Sequence, residues 1–347
     1  MKQRIIFSGV MKKVPDGGDS MKNKLFVERF KEVYDKVWVV GFNKDSWHLF
    51  FFPLKIMWLL LVSIAHPKTR IVLSSNSWES NIIIKMLGLF GMSKRIYFWV
   101  VGGAFHNAVG VKYPLSRFQK THTIYVQSPK MVEVMRNKGF NNVVYVPNSK
   151  RIDYYPTIKS RDGDSKVKFV FLSRIHPDKG IRMIIESANW LNDNGYNNQF
   201  TIDFYGKVSR EFENEFLSRI EQLQNVEYKG YLNLANQSNY DVLSKYDVML
   251  FPTYWYGEGF PGIVIDAYIA GLPIIASDWN FNSDVVSSET GTIIPAKDSK
   301  SLLKEMLNYI EGVYNIAAMK TRCQQVARNY DNRFVLSVEN LKKIGML

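Results

Sequence analysis

Two carboxylates, Glu258 and Asp266, stand eight positions apart, with glycines at 257, 259 and 262 around the first of them. Pro261 suits the first position of a helix, where its missing N–H costs nothing. A helix that starts there offers free N–H groups and a positive dipole end, which suits a phosphate. Upstream, Arg174 and Lys179 bracket a loop, five positions apart. A guanidinium grips phosphate as a fork and an ammonium acts as a point charge, so the two cations suit a diphosphate. The N-terminal half adds two glycine pairs. Gly17-Gly18 lets backbone approach a ligand, with Lys22 and Asn23 just beyond, or is a plain surface turn. Gly102-Gly103 is followed by His106, which either contacts a substrate hydroxyl or holds its loop. Asp162-Gly163-Asp164 sits in a hydrophilic stretch with no strand before it, which favours a solvated turn over a metal site. No other metal site is evident.

The elements that position these residues alternate between strand and helix. Ile5–Gly9, Val37–Val40, Arg70–Ser74, Arg95–Val101, Ile124–Val126 and Val143–Val146 read as short buried strands of the first half. Helices over 21–34, 81–90 and 130–138 lie between them. The second half restarts at Val167–Leu172 and continues through Phe200–Tyr205, Val226–Tyr228, Val248–Phe251, 272–276 and Thr292–Ile294. Its helices are expected over 179–192, 211–222, 233–245, 261–270 and 300–311, with a helical tail over 317–343. This alternation predicts two doubly wound parallel sheets facing a cleft. The polar stretch 150–165 lacks apolar periodicity and is expected to connect them. The expected domains are therefore 1–150 and 166–347, the second ending in C-terminal helices.

A chain of 347 residues is long for one core and fits two domains. The single cysteine, Cys323, excludes an internal disulfide and fits a reducing compartment. No secretory signal is apparent at Met1-Lys2-Gln3-Arg4, so a cytoplasmic location is expected. The net charge of +13 is unevenly shared: residues 1–150 hold 23 Lys/Arg against 8 Asp/Glu, and the remainder is slightly acidic. Such a basic half suits an anionic surface or substrate, or simply keeps the chain soluble. No nucleic-acid motif accompanies it, and no nucleic-acid partner is expected. Trp47–Ala65 is the most apolar stretch. Pro53 and Lys55 interrupt it, and a spanning helix needs about 20 apolar residues. It is expected either to pack within the first domain or, through Trp47, Phe50, Phe51, Phe52 and Trp58, to lie partly in a membrane interface.

Ser173-Arg174-Ile175-His176-Pro177-Asp178-Lys179-Gly180 resembles the G-R-L-x-x-x-K-G segment of family-four retaining glycosyltransferases with the GT-B fold. Glu258 to Ala276 resembles their E-G-F-G-x-x-x-x-E-A-x-A-x-G-x-P-V-I-A signature. Gly17-Gly18, Gly102–His106 and Pro147-Asn148 fit weaker features of that family in the expected order, so the resemblance covers nearly the whole chain. It implies a nucleotide-diphosphate sugar as donor substrate, UDP-linked on frequency alone, with no other cofactor. It implies a glycan acceptor; the basic half and the Trp47–Ala65 stretch suit a lipid-linked one, met peripherally at the inner face of an anionic bacterial membrane, in surface polysaccharide or capsule synthesis. Glu258 would orient the donor sugar, Asp266 would contact the ribose, and Arg174 and Lys179 would neutralise the diphosphate. Gly206, Gly259, Phe260 and Gly262, with Gly17 and Gly18, would line the donor, and His106 would act in catalysis. The sequence departs from the signature twice. Asp266 is one methylene shorter than the usual glutamate, and Pro261 removes one N–H donor. A non-catalytic nucleotide-sugar or membrane-binding module, or an epimerase on the same fold, is the alternative.

Overall fold

Runs of β-branched and aromatic residues, each too short for a helix, become strands because their backbone groups can pair only with neighbouring runs. The structure, a computed structural model, describes residues 3–12, 18–42, 48–158 and 166–347. Gly17, Trp47 and the Asp162–Asp164 stretch lie outside the described residues. The chain divides into two units, Met1–Arg151 with Tyr330–Leu347, and Ile152–Asn329.

The first unit runs β1 (Arg4–Val10), α1 (Gly18–Val33), β2 (Lys36–Phe42), α2 (His48–Ala65), β3 (Arg70–Ser75) and α3 (Ser77–Leu89). It continues through β4 (Ile96–Val100), α4 (Phe105–Ala108), α5 (Leu115–Gln119), β5 (Thr123–Val126), α6 (Pro129–Asn137) and β6 (Val143–Tyr145). The strands form one parallel sheet in the order β2-β1-β3-β4-β5-β6. Every residue of β4 is buried, as expected for a parallel strand covered on both faces. Side chains set the helix limits. Asn76 caps α3 by accepting from the Trp78 and Glu79 amides, and Ser128 caps α6 ahead of Pro129. Arg95 donates to the carbonyls of Ser63, His66 and Thr69, tying down the end of α2 and the turn that follows it. Helix α2 turns Phe52, Ile56, Leu59 and Ser63 inward. Phe52, one of the expected membrane aromatics, is therefore core: it packs edge-on to Phe42 and stacks on Trp78.

The second unit runs β7 (Val167–Leu172), α7 (Ile181–Asp193), β8 (Phe200–Tyr205), α8 (Glu213–Ile220), β9 (Val226–Tyr228) and α9 (Tyr240–Leu243). It continues through β10 (Val248–Phe251), α10 (Gly262–Ile269), β11 (Ile274–Asp278), β12 (Gly291–Pro295), α11 (Ser299–Ile310) and α12 (Ile316–Ala327). Its parallel sheet has the order β12-β11-β10-β7-β8-β9, so strand order reverses between β7 and β10. Ligands of open α/β sheets bind beyond the carboxyl ends of the strands at such a reversal. The predicted doubly wound α/β architecture is thus present in both units.

Two expectations need correction. The helix predicted over 233–245 is reduced to a 3-10 turn and α9. Asn233 and Asn236 bond locally, to the Ala235 amide and the Ser238 hydroxyl, in competition with the helical ladder. The tail is not one helix of the second domain. It breaks at two fresh N-caps, Asp331 and Ser337, giving α13 (Asn332–Val335) and α14 (Val338–Lys343). Both belong to the first unit, because Val335, Leu336, Leu341 and Met346 join Ile5, Phe30, Trp99 and Tyr125 in its core. Tyr34 and Tyr125 donate to the Met346 and Ile344 carbonyls, fixing the tail there.

Candidate functional site

The reversal in the second sheet brings together the loops after β7 and β10. The first loop leaves β7 at Ser173, turns at His176, makes a 3-10 turn over Pro177–Lys179 and enters α7 through Gly180. His176 caps that turn, its Nδ1 accepting from the Asp178 amide. Gly180 has φ 79°, and a Cβ there would lie 2.3 Å from the Pro252 carbonyl oxygen. Only glycine allows this conformation and this approach together. The result is that Lys179, nearly buried, donates to the Glu258 carboxylate as an ion pair.

Glu258 is held from several sides. The Thr253 hydroxyl donates to its carboxylate at 3.3 Å. The end of β11 and the segment after it clamp its loop through the backbone. Ser277 donates to the Thr253 carbonyl, Trp279 Nε1 to that of Trp255 at 2.7 Å, and Asn280 to that of Glu258 at 2.7 Å. The Ser277 and Asn280 bonds satisfy carbonyls that irregular backbone would otherwise leave orphaned, and the Trp279 bond adds a second donor to a Trp255 carbonyl that already accepts the Glu258 amide. The loop is thereby pre-organised before any ligand arrives.

Arg174 lies on the same loop as Lys179, exposed, with its guanidinium 5.9 Å from the Trp255 ring centre. His176 meets that ring edge-on at 5.0 Å. Arg174 makes no ion pair among the described residues, so its charge is available to an anion. Gly259 is half-buried, Phe260 is buried, and Gly262 opens α10, whose start carries no side-chain cap. Lys179 thus pairs with the Glu258 carboxylate, Arg174 lies against Trp255 of the same loop, and α10 starts uncapped at Gly262.

Other expected site residues have different surroundings. Asp266 is only 3% exposed, and it accepts a 2.7 Å hydrogen bond from Tyr240. Burial and the adjacent Asp266 charge push the Tyr240 hydroxyl well above its ordinary pKa, keeping it a donor. Gly206 has φ 147°, and a Cβ there would lie 1.7 Å from the Ser173 carbonyl oxygen, so close packing of two loops demands the glycine. In the first unit, Gly18 begins α1, and His106 lies on α4 beyond Gly102, which has φ 80°. Burial is the main cause that lowers the His106 pKa; a hydrogen bond with the Gly103 backbone opposes it and the nearby Lys138 charge adds to it, so the neutral imidazole is favoured.

The structure brings Lys179 and Glu258 into contact and sets Arg174 against the ring of Trp255, on the Glu258 loop. The sequence did not single out Thr253, Trp255, Ser277, Trp279, Asn280 or Tyr240. Only position carries a signal, since residues beyond the carboxyl ends of the strands lie where ligands bind, and residue type does not say which of them clamp the loop.

Comparison with known proteins agrees with this geometry. Residues 166–312 match the family model Glycosyl transferases group 1. The curated UDP-Gal:alpha-D-GlcNAc-diphosphoundecaprenol alpha-1,3-galactosyltransferase of Escherichia coli is 25% identical over 213 residues, 57% of this chain. That alignment spans 52% of the relative, about half its length. The apo form of the lipopolysaccharide outer core galactosyltransferase WaaB superposes with a TM-score of 0.75 at 13% identity, covering 99% of this chain and 100% of that one. HepE from Anabaena, solved in complex with UDP, gives 0.73 at 14% identity with the same coverage. The fold is GT-B, and the resemblance carried by the two C-terminal motifs is borne out.

Proposed function

We propose that this chain, GT-B in fold and similar to glycosyltransferases, moves a sugar from a nucleotide-diphosphate sugar to a hydroxyl of a glycan acceptor, with retention at the anomeric carbon. The observation that carries the reading is the Lys179–Glu258 pair, clamped at the strand reversal with Arg174 against Trp255 of the Glu258 loop. The donor is UDP-linked in this reading, supported by the UDP-Gal in the curated relative's name and by the UDP bound to HepE. The diphosphoundecaprenol in the same relative's name supports a lipid-linked glycan acceptor in bacterial polysaccharide synthesis.

In the mechanism, Glu258 accepts hydrogen bonds from donor-sugar hydroxyls and fixes the sugar's orientation. Arg174 and Lys179 face the diphosphate, and amides at the start of α10 add donors. Breaking the glycosidic bond builds negative charge on the leaving phosphate. The two cations therefore hold the transition state more tightly than the ground state, which is what accelerates the step. The acceptor hydroxyl attacks from the leaving-group face and gives its proton to the departing phosphate, so no covalent enzyme intermediate is required. Asp266, buried and bonded to Tyr240, either contacts the ribose as the signature implies or positions α10. His106, its neutral imidazole favoured by burial, accepts or donates a hydrogen bond and does not serve as a charge.

A thermal-shift panel of nucleotides and nucleotide sugars tests the reading, since a ligand that binds only the native state raises the apparent stability. UDP and one UDP-sugar should raise the melting temperature. Slow hydrolysis of that sugar with retained anomeric configuration should follow. A chain that binds the sugar nucleotide and never hydrolyses or transfers it would be a non-catalytic module.

A further inference from the structure

From Phe50 to Ala65, every exposed residue of α2 is apolar. Phe50, Leu54, Met57, Trp58, Leu61 and Ile64 recur at helical spacing on one side, with Phe50 67% and Trp58 59% exposed. The opposite side carries Phe52, Ile56, Leu59 and Ser63 into the core. The one charged residue from Phe50 to Ala65, Lys55, is half-buried. A helix that is apolar all round is expected to be covered all round, yet the first unit covers only its inner face. Helix α3 packs against it and adds exposed Trp78, stacked on Phe52, which widens the apolar surface.

Charge decides what covers this face. Residues 1–150 carry 23 Lys/Arg against 8 Asp/Glu. Lys68 just beyond α2, Lys85 on α3 and Lys94 just beyond α3 are exposed. A second copy docked on the same face would bring two strongly basic units together and repel. Acidic lipid headgroups would neutralise the same cations, and Trp and Phe favour the headgroup level of a bilayer. No helix among the described residues is long and apolar enough to cross a membrane. The inner face of α2 is also tied to the sheet through Phe52 and Phe42.

We propose that α2 lies in the plane of an anionic bilayer, its exposed face sunk into the headgroup–acyl boundary and the cations of the first unit against lipid phosphates. This rests on the exposed face and the charge, independently of glycosyl transfer. The test uses the full chain and co-sedimentation with phosphatidylcholine vesicles, with and without phosphatidylglycerol. The chain should bind the phosphatidylglycerol vesicles at least tenfold more tightly. A combined Leu54→Ser, Trp58→Ser, Leu61→Ser variant should lose that binding at least tenfold and keep its melting temperature. Three findings would each overturn the proposal: no preference for phosphatidylglycerol, unchanged binding by the variant, or a wild-type dimer in buffer that the variant abolishes. The last would make a second copy the occupant. Hydrolysis of a UDP-sugar, read in the same samples without vesicles, reports separately on the transfer reaction.

Discussion

Lys179 and Glu258, 79 residues apart in sequence, form an ion pair between the loops after β7 and β10. The site thus holds its own counter-charges, and a donor must share both partners. Lys179→Ala should lower turnover at least about tenfold, the equivalent of roughly 1.4 kcal/mol in the barrier. Glu258→Gln keeps a hydrogen-bond acceptor for Lys179 and should retain the fold while weakening sugar orientation. Steady-state kinetics with circular dichroism as a folding control checks both. Near-normal turnover in Lys179→Ala would remove it from the leaving-group role.

The Tyr240–Asp266 hydrogen bond is buried at both ends. Tyr240→Phe leaves the carboxylate without this donor, which should cost about 1–3 kcal/mol in urea unfolding. Asp266→Glu restores the length seen in the family signature but adds a methylene to a packed site, at a cost of about 1–3 kcal/mol. If Asp266 positions α10, both variants should shift donor affinity in proportion to stability. A large loss of UDP affinity in Asp266→Asn with unchanged stability would return Asp266 to the ribose.

Two glycines with similar backbone separate strain from crowding. Gly180 and Gly195 have φ of 79° and 86°. A Cβ on Gly195 meets nothing within 4 Å, whereas one on Gly180 strikes the Pro252 carbonyl. Gly195→Ala should cost about 1–2 kcal/mol, the conformational penalty alone. Gly180→Ala should cost clearly more and also displace Lys179. Chemical denaturation of the two variants side by side measures the difference.

Lys22 offers a pH signature in the first unit. Its Nζ is buried with no hydrogen-bond partner among the described residues, lying 5.2 Å from the Phe26 ring centre. Burial pushes its pKa down from 10.5 to about 7, against a weaker opposing pull from Asp19. The folded protein then releases the proton near pH 7, while the unfolded chain holds it up to 10.5. The wild type should therefore gain stability as pH climbs through that window, by up to about 1.4 kcal/mol per pH unit. Lys22→Met should be more stable than wild type at pH 7 and below, with the advantage shrinking toward pH 10. Urea midpoints across that range check the sign.

Much of the fold is legible in the sequence because its strands are buried on both faces. Runs such as Val248–Phe251 then have one reading, whatever their neighbours. The order of the strands is not legible, since pairing is set by crossovers and not by residue type. At the site, Arg174, Lys179 and Glu258 could be found from charge and spacing, but their juxtaposition is non-local. The Asn280 and Trp279 bonds that hold Glu258 leave no mark in residue type, because a polar residue after a strand looks the same whether it clamps a loop or faces water. For α2, apolar content was plain and its two faces were not. Only the burial of Phe52 against the exposure of Trp58 tells them apart.

The placement of α13 and α14 has a consequence for how the chain is made. Lys150 and the segment around Asp331 are stitched by two backbone hydrogen bonds, Lys150 N to Tyr330 O at 2.9 Å and Asn332 N to Lys150 O at 2.8 Å. The first unit therefore closes on residues synthesised after all of the second. On the ribosome, the later-made unit can mature while the earlier-made one waits with an unplugged core around Trp99. A chaperone that binds nascent apolar surface would find its target in the part of the protein that emerged first.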